Sequence, residues 1–185
     1  MRRMSYCQAL IEAQKEEMLR DSNVVIMNEP GDVTPNRKNL PGDIHVWWDD
    51  ENTDNSEFML VLAYMLQRNK DWKNKRICLK AIVKNEFIRQ NKLKEFQELS
   101  IKVRLPLDIE VLVSSEPETN YFDFVRQFSK HAEFIFLSLV PPPQDGEPVD
   151  EYIDYLHRMS VTPKDFPEIA LVLSSEHTPL ETILS

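Results

Sequence analysis

Glycine is scarce in this chain. Gly31, Gly42 and Gly146 are the only three glycines in 185 residues. None of them opens a helix after a strand with the spacing G-x-G-x-x-G or G-x-x-x-x-G-K-[ST]. Loops of those two kinds bind phosphate groups through backbone N–H groups that glycine leaves accessible. The sequence therefore argues against a nucleotide site of either kind.

Cysteine and long apolar runs are scarce as well. Cys7 and Cys78 are the only two cysteines, and with no C-x-x-C spacing they are interpreted as reduced thiols rather than as a disulfide framework. No apolar run approaches the roughly 18–20 residues that a membrane span needs. The chain starts with M-R-R and continues as an amphipathic segment rather than as a signal peptide. We expect a soluble polypeptide with no direct membrane insertion of this segment.

Basic residues are outnumbered, with 22 Lys and Arg against 31 Asp and Glu and a net charge of −9. Such a charge repels phosphate backbones, so nucleic acid is not an expected partner. The four histidines, at positions 45, 131, 157 and 177, form no H-E-x-x-H motif, and no serine lies in a G-x-S-x-G turn. We predict no catalytic residue, no metal ligand and no bound cofactor.

Strand-like and helix-like patterns alternate along the chain. Strands are predicted at residues 24–27, 44–48, 76–83, 109–113, 134–139 and 169–173, and apolar helix faces at 58–66, 87–99, 121–128 and 149–156. Near-continuous apolar strands are typical of a parallel sheet that is covered on both faces. The pattern predicts an α/β fold with an open, doubly wound, mostly parallel sheet of five to six strands, similar to Rossmann and universal stress proteins.

The first 21 residues differ from the remainder. Met4, Cys7, Ile11 and Met18 follow the three-to-four spacing of an amphipathic helix. This helix could pack on its own sheet or dock on a partner chain. We therefore divide the chain into a connecting helix at residues 1–21 and a single α/β domain at residues 22–185.

The segment D-I-H-V-W-W-D-D at residues 43–50 is the most informative. Successive strand residues face opposite sides, so Trp47 and Trp48 should pack into opposite layers, and Trp72 could cap the sheet edge. The run Asp50–Asp54 that follows imitates the start of a calcium loop, with side-chain oxygens at alternate positions. That imitation fails at the sixth and twelfth positions, which are Asn55 and Val61. Residues 54–56 are better interpreted as the N-cap of the next helix.

Residues 43–50 resemble the I-D-V-W-W…D-D-G-G segment in the cytosolic C-terminal domain of cation–chloride cotransporters. Residues 60–66 and 70–77 are similar to that family's order L-L-x-Y-L-L…K-x-W-K-x-C-K-I-R, with L-V-L-A-Y-M-L and K-D-W-K-N-K-R-I. Residues 22–27 resemble the family's preceding strand, and residues 165–173 resemble its D-L-P-P-I-L-L-V terminus. Two features depart from the family: the glycine pair is missing, and the long insertion after the third strand is reduced to residues 114–120.

The resemblance implies a regulatory domain on the cytoplasmic side of the cell membrane. Such a domain forms a homodimer and couples to its own upstream membrane transport domain, where sodium, potassium and chloride would be handled. Trp47, Trp48, Asp49, Asp50 and Trp72 would be family marks in the core, and the residues of the connecting helix would be the candidate interface.

Two alternatives remain at this stage. One is a freestanding nucleotide- or metabolite-sensing domain of the universal stress type, although its glycine-rich loop after the fourth core strand is here V-P-P-P at residues 140–143. The other is a hydrolase whose groups assemble only in space.

Overall fold

Five strands form one parallel sheet in the computed structural model, which describes residues 42–143, 150–160 and 166–174. The strands are β1 (Ile44–Trp47), β2 (Ile77–Val83), β3 (Leu107–Val113), β4 (Phe134–Ser138) and β5 (Glu168–Val172). The helices are α1 (Thr53–Arg68), α2 (Glu86–Lys102), α3 (Pro117–Ser129) and α4 (Asp150–Ser160). The strand order is β3-β2-β1-β4-β5, and every neighbouring pair is parallel.

The predicted fold class is confirmed: the protein is α/β, with a five-stranded parallel sheet and helices interleaved between the strands. Five of the six predicted strands are present, because continuous apolar runs of this length are buried from both faces of a parallel sheet. The sixth predicted strand, at residues 24–27, and the predicted connecting helix lie outside the described residues.

Two apolar cores cover the two faces of the sheet. The first contains Trp48 and Phe96, together with most of the apolar face of α1. The second contains Trp47, Val125 and Ile135, with aromatic side chains of α3 and α4 packed against it. The paired tryptophans therefore lie in opposite layers, as predicted from the alternation of strand side chains.

Ring contacts fix both indoles. The Trp47 ring packs edge-on against Tyr121 with centroids 6.0 Å apart, and the Trp48 ring packs edge-on against Phe96 at 5.3 Å. Aromatic pairs in this geometry add to the free energy gained by burying the rings. Trp72 is half-buried and packs edge-on against Phe134 at 6.0 Å. It therefore covers the amino-terminal end of an inner strand and not a lateral edge strand of the sheet.

The prediction for the face of α2 is partly wrong. Phe96 is fully buried, but Phe87 and Ile88 are 76% and 38% exposed. Both lie in the first turn of α2, where the helix has only just left the end of β2. In α4, Tyr155 and Leu156 pack on the second core as predicted, whereas Ile153 is 45% exposed.

The C-terminus of α2 has an unusual residue. The Arg104 N–H donates to the Ile101 carbonyl at 3.2 Å, and the Leu105 N–H donates to the Ser100 carbonyl at 3.2 Å. These two bonds form a Schellman motif, which places the residue after the C-cap in the left-handed conformation. That residue is Arg104, with φ of 53°. Glycine is the usual occupant of such a position because a side chain there costs roughly 1 kcal/mol.

We expect Trp47→Ala and Trp48→Ala each to lower the free energy of unfolding by about 3–5 kcal/mol, because each deletes a buried aromatic ring and leaves a cavity. Trp72→Ala is the control, with an expected loss of roughly 2 kcal/mol because its ring is only half-buried. Urea denaturation measures all three. A loss near zero for either of the paired tryptophans would contradict the two-layer arrangement.

Candidate functional site

A candidate ligand site is the crevice between the carboxyl ends of β1 and β4. The chain proceeds from β1 through β2 to β3 on one side and then returns to β4 on the other side of β1. In open α/β sheets, ligands bind at such a reversal of strand order, outside the carboxyl ends of the strands. The carboxylates after β1 lie at this end of the sheet.

Asp49 organises the turn that follows β1. Its side-chain oxygens accept hydrogen bonds from the Glu51 N–H at 3.0 Å and from the Asn52 amide at 2.8 Å. Its backbone N–H donates to the Ser56 hydroxyl at 2.8 Å, and that hydroxyl donates back to the Asp49 carbonyl at 3.0 Å. Both carboxylate oxygens are therefore engaged in building the loop.

Asp50 connects the strand to α2. Its carboxylate accepts the indole N–H of Trp48 at 3.0 Å and the ammonium of Lys92 at 2.7 Å. Lys92 is buried and also contacts Glu95 at 2.8 Å. Burial lowers the pKa of Lys92, but the hydrogen bonds that its ammonium donates to Asp50 and Glu95 outweigh that effect and raise the pKa. Asp50 therefore holds the Trp48 ring and α2 in place, and this role is structural.

Asn55 fills the crevice itself. Its side chain is 3% exposed, and its amide donates to the Ser138 hydroxyl at 2.8 Å and to the Leu139 carbonyl at 3.2 Å. Its amide oxygen accepts the Ser174 N–H at 2.6 Å. One side chain thus bridges α1 to the chain leaving β4 and to the chain leaving β5. The place where a ligand would approach the strand ends is occupied by the protein's own amide.

The predicted N-cap at residues 54–56 is wrong. α1 begins at Thr53, and the preceding Asn52 makes no capping hydrogen bond with its side chain. Asn55 and Ser56 lie within the first turn and are both buried, because their side chains bond to the strand ends and to the loop after β1 rather than to the helix's own N–H groups.

Two tyrosines of α4 hold the chain that leaves β4. The Tyr155 hydroxyl accepts the Val140 N–H at 3.1 Å and lies 3.4 Å from the Ser138 carbonyl, to which it can donate. The Tyr152 hydroxyl donates to the Val140 carbonyl at 3.2 Å. Burial raises the pKa of Tyr155 to about 12, so its hydroxyl keeps its proton at neutral pH. These contacts fix the V-P-P-P segment, where universal stress proteins carry a glycine-rich loop.

A second polar cluster lies beneath α3. His45 Nδ1 is 2.8 Å from the Ser129 hydroxyl, and the Trp47 indole N–H donates to the same oxygen at 2.9 Å. Because Trp47 donates to that oxygen, the hydroxyl hydrogen of Ser129 is free to point at His45, which then accepts as a neutral ring. The pKa of His45 is lowered to about 4, by burial first and by the nearby charge of Lys80 second.

A histidine hydrogen-bonded to a serine, as in the His45–Ser129 pair, can activate the serine as a nucleophile, but here the serine is not accessible. The Ser129 side chain is fully buried, and a nucleophile needs room for the reacting atom next to its oxygen. Cys78 is no better placed, because burial raises the pKa of its thiol to about 11 and keeps it protonated at neutral pH. No group of three or more potential metal ligands occurs among the residues that the structure describes.

Three polar residues organise these clusters: sequence reasoning gave Asn55 the wrong role, as a helix cap, and it missed Lys92 and Ser129. Each lies on a helix, and its partners are on elements far away in sequence. The sequence contains one indication that Lys92 is buried: it lies four residues before the buried Phe96, and therefore on the same face of the helix. The predicted interface residues Met4, Cys7, Ile11 and Met18 lie outside the described residues.

No protein-family model matches this chain, and no curated protein matches it. Over the described ranges, no helix is both long and apolar enough to cross a membrane.

We expect Asn55→Ala to lower the free energy of unfolding by about 2–4 kcal/mol, because it deletes three hydrogen bonds inside a buried crevice. Asn52→Ala is a matched control at the rim of the same loop, with an expected loss below about 1 kcal/mol. Urea denaturation of both variants gives the comparison. Equal losses of unfolding free energy in the two variants would show that Asn55 does not hold the strand ends together.

Protonation of His45 should destabilise the fold in acid. The unfolded state binds this proton below about pH 6.5 and the folded state only below about pH 4. The stabilising contribution is therefore complete above pH 6.5, is lost as pH falls to about 4, and amounts to about 3 kcal/mol in total. We expect His45→Gln to flatten this part of the stability profile, measured by urea denaturation at closely spaced pH values. If the free energy of unfolding of His45→Gln fell with pH as steeply as that of the unsubstituted protein, His45 would not be the cause of the acid sensitivity.

Proposed function

We propose that this chain is part of the cytosolic C-terminal regulatory and dimerisation domain of a membrane transporter similar to the cation–chloride cotransporters. The domain performs no chemistry of its own. It couples to ion transport by a membrane domain upstream, and it lies on the cytoplasmic side of the cell membrane.

The observation that carries this proposal is the environment of residues 43–50, which bear the resemblance to that family. Trp47 and Trp48 anchor the two cores from one central strand, and Asp50 holds Trp48 and Lys92 together. These residues pack the two cores and connect helices to the sheet. Their environment therefore supports a role of the domain as a rigid framework.

The filled crevice supports the same proposal over a freestanding nucleotide sensor. Asn55 and Tyr155 bond to the ends of β4 and β5 where a nucleotide would have to lie. A ligand at this position would have to displace hydrogen bonds that join three elements of the fold. Isothermal titration with ATP separates the two functions, since micromolar affinity would favour the sensor and contradict our proposal.

The regulatory mechanism would be a coupling free energy between the domain and the transport unit. A rigid body that packs differently in two states of the transporter shifts their equilibrium by its differential contacts, typically by about 1–3 kcal/mol. No described residue needs to bind a transported ion for this. The predicted contact with a second copy runs through Met4, Cys7, Ile11 and Met18.

Sedimentation equilibrium tests the dimer, and the expected species is a homodimer. We expect Ile11→Glu to weaken self-association at least tenfold, because it places a carboxylate within the predicted apolar seam. Ala13→Glu is the matched control: it adds the same charge on the opposite side of the predicted helix. A strict monomer at high concentration, or equal effects of the two variants, would contradict the interface.

The coding sequence upstream of Met1 tests the transporter itself. We expect it to continue in frame through about a dozen hydrophobic segments, each of roughly 20 residues. An in-frame stop codon directly before Met1 would overturn the proposal.

A further inference from the structure

Three consecutive prolines follow β4. Pro141, Pro142 and Pro143 come after Val140, where the chain leaves the sheet. The proline ring fixes φ near −65°, and a residue that precedes a proline is restricted to ψ values of roughly 120–160°. Pro141 and Pro142 meet both conditions, and the described chain contains no cis peptide bond. This combination of angles is the polyproline II conformation, a left-handed helix with three residues per turn.

Helix α4 holds the start of this segment. The Val140 N–H donates to the Tyr155 hydroxyl at 3.1 Å, and the Val140 carbonyl accepts a hydrogen bond from the Tyr152 hydroxyl at 3.2 Å. One residue earlier, the Leu139 N–H donates to the Val172 carbonyl at 2.8 Å. The prolines therefore leave from a support that is bonded both to the sheet and to a helix.

The prolines themselves face solvent. Pro141 and Pro142 are exposed, and Val140 is 43% exposed. Within the described ranges, no group donates a hydrogen bond to the carbonyl of Pro141 or of Pro142. The segment thus presents ring surface together with two carbonyl acceptors that the fold leaves unused.

The sheet does not require three prolines at this position. A single proline is enough to end β4, because one missing N–H interrupts the hydrogen-bond ladder. Pro142 is exposed, so its ring adds no packing to either core. A run of prolines that is fixed at one end and exposed along its length is suited to recognition, because it loses little conformational entropy on binding.

The exposed chemistry is that of a ligand for an aromatic-lined groove. Proline-rich segments in the polyproline II conformation dock in such grooves on SH3, WW and EVH1 domains. Aromatic rings in the groove pack against the proline rings, and an indole N–H or a phenol O–H donates to a free carbonyl. The two unused carbonyls after β4 are acceptors of the kind that such donors need.

The described part of a second copy of this chain offers no such groove. Phe87 is the only aromatic side chain in these ranges that is largely exposed, at 76%. It lies in the first turn of α2, without a second exposed ring beside it. The partner that fits the prolines is thus a different protein.

We propose that residues 140–143 bind a separate partner protein, in an aromatic-lined groove that recognises polyproline II helices. Pro141 and Pro142 supply the rings and the free carbonyls, and Tyr152 and Tyr155 hold the segment in the bound conformation. This interaction adds a binding function to the domain and does not depend on a link to a transporter. A domain that binds such a groove without any transport unit would leave this inference intact.

The experiment titrates the 185-residue chain into purified SH3, WW and EVH1 domains labelled with nitrogen-15 and follows their NMR spectra. We expect at least one of the three domain types to bind with a Kd below about 1 mM, with the largest shifts on the indole N–H signals of its groove. Absence of shifts in all three types, or shifts away from the groove, would overturn the proposal.

Two variants and a matched control locate the contact. Pro141→Ala and Pro142→Ala should each raise the Kd about fourfold, because each removes two ring carbons that are about half buried in the groove. Pro106→Ala is the control, since Pro106 is an exposed proline in the loop before β3, and it should leave the Kd unchanged. A Kd that rises equally in all three variants, or in none, would overturn the assignment to this segment.

Thermal unfolding of the same variants separates binding from folding. We expect each Tm to stay within about 4 °C of that of the unsubstituted chain, because a loop proline acts mainly through the entropy of the unfolded state. Competition with a poly-L-proline peptide tests the groove without any substitution. The peptide should displace the chain completely, and binding that persists at saturating peptide would overturn the proposal.

Tyr152→Phe tests the support from α4. It removes the hydroxyl that donates to the Val140 carbonyl but leaves every proline in place. The Kd should rise about twofold, because the partner must then order the segment itself. Tyr64→Phe on α1 is the matched control and should have no effect on the Kd. Equal Kd values for the two variants would overturn the role of α4 in presenting the prolines.

Discussion

The two-sided burial of β1 is the constraint on which the remaining structure depends. This strand lies between β2 and β4, so its residues contribute alternately to both cores. Trp47 fills the core under α3, and Trp48 fills the core under α1 and α2. Because the two indoles are neighbours in sequence, any shift of β1 along its axis would disturb both layers at once. Close-packed interiors tolerate such shifts poorly.

The polar groups around β1 preserve that arrangement. The indole N–H groups of both tryptophans are satisfied, one by Ser129 and the other by Asp50. Asn55 then joins α1 to the ends of β4 and β5. The same hydrogen bonds that complete the fold also occupy the crevice where related architectures bind ligands. The hydrogen bonds that stabilise the strand ends are therefore the same ones by which Asn55 occupies this position.

Local sequence pattern predicted the strands and the opposing tryptophans, because the burial of a parallel strand and the alternation of its side chains are local properties. It did not predict Asn55, whose partners are 83 to 119 residues away in sequence. The exposure of Phe87 was missed for a related reason. Helical spacing identifies a face, but only the position of the helix relative to the sheet decides whether its first turn reaches the core.

Gly42 also has a mechanical consequence. Its backbone packs against the loop before β4, and the neighbouring Asp43 carbonyl accepts the Glu133 N–H at 2.9 Å. A force applied at Gly42 along the strand axis would therefore load the ladders from β1 to β2 and from β1 to β4 at the same time. Both ladders would have to shear together before β1 could leave the sheet. A pull at this point is passed to the centre of the sheet on both sides rather than to one edge.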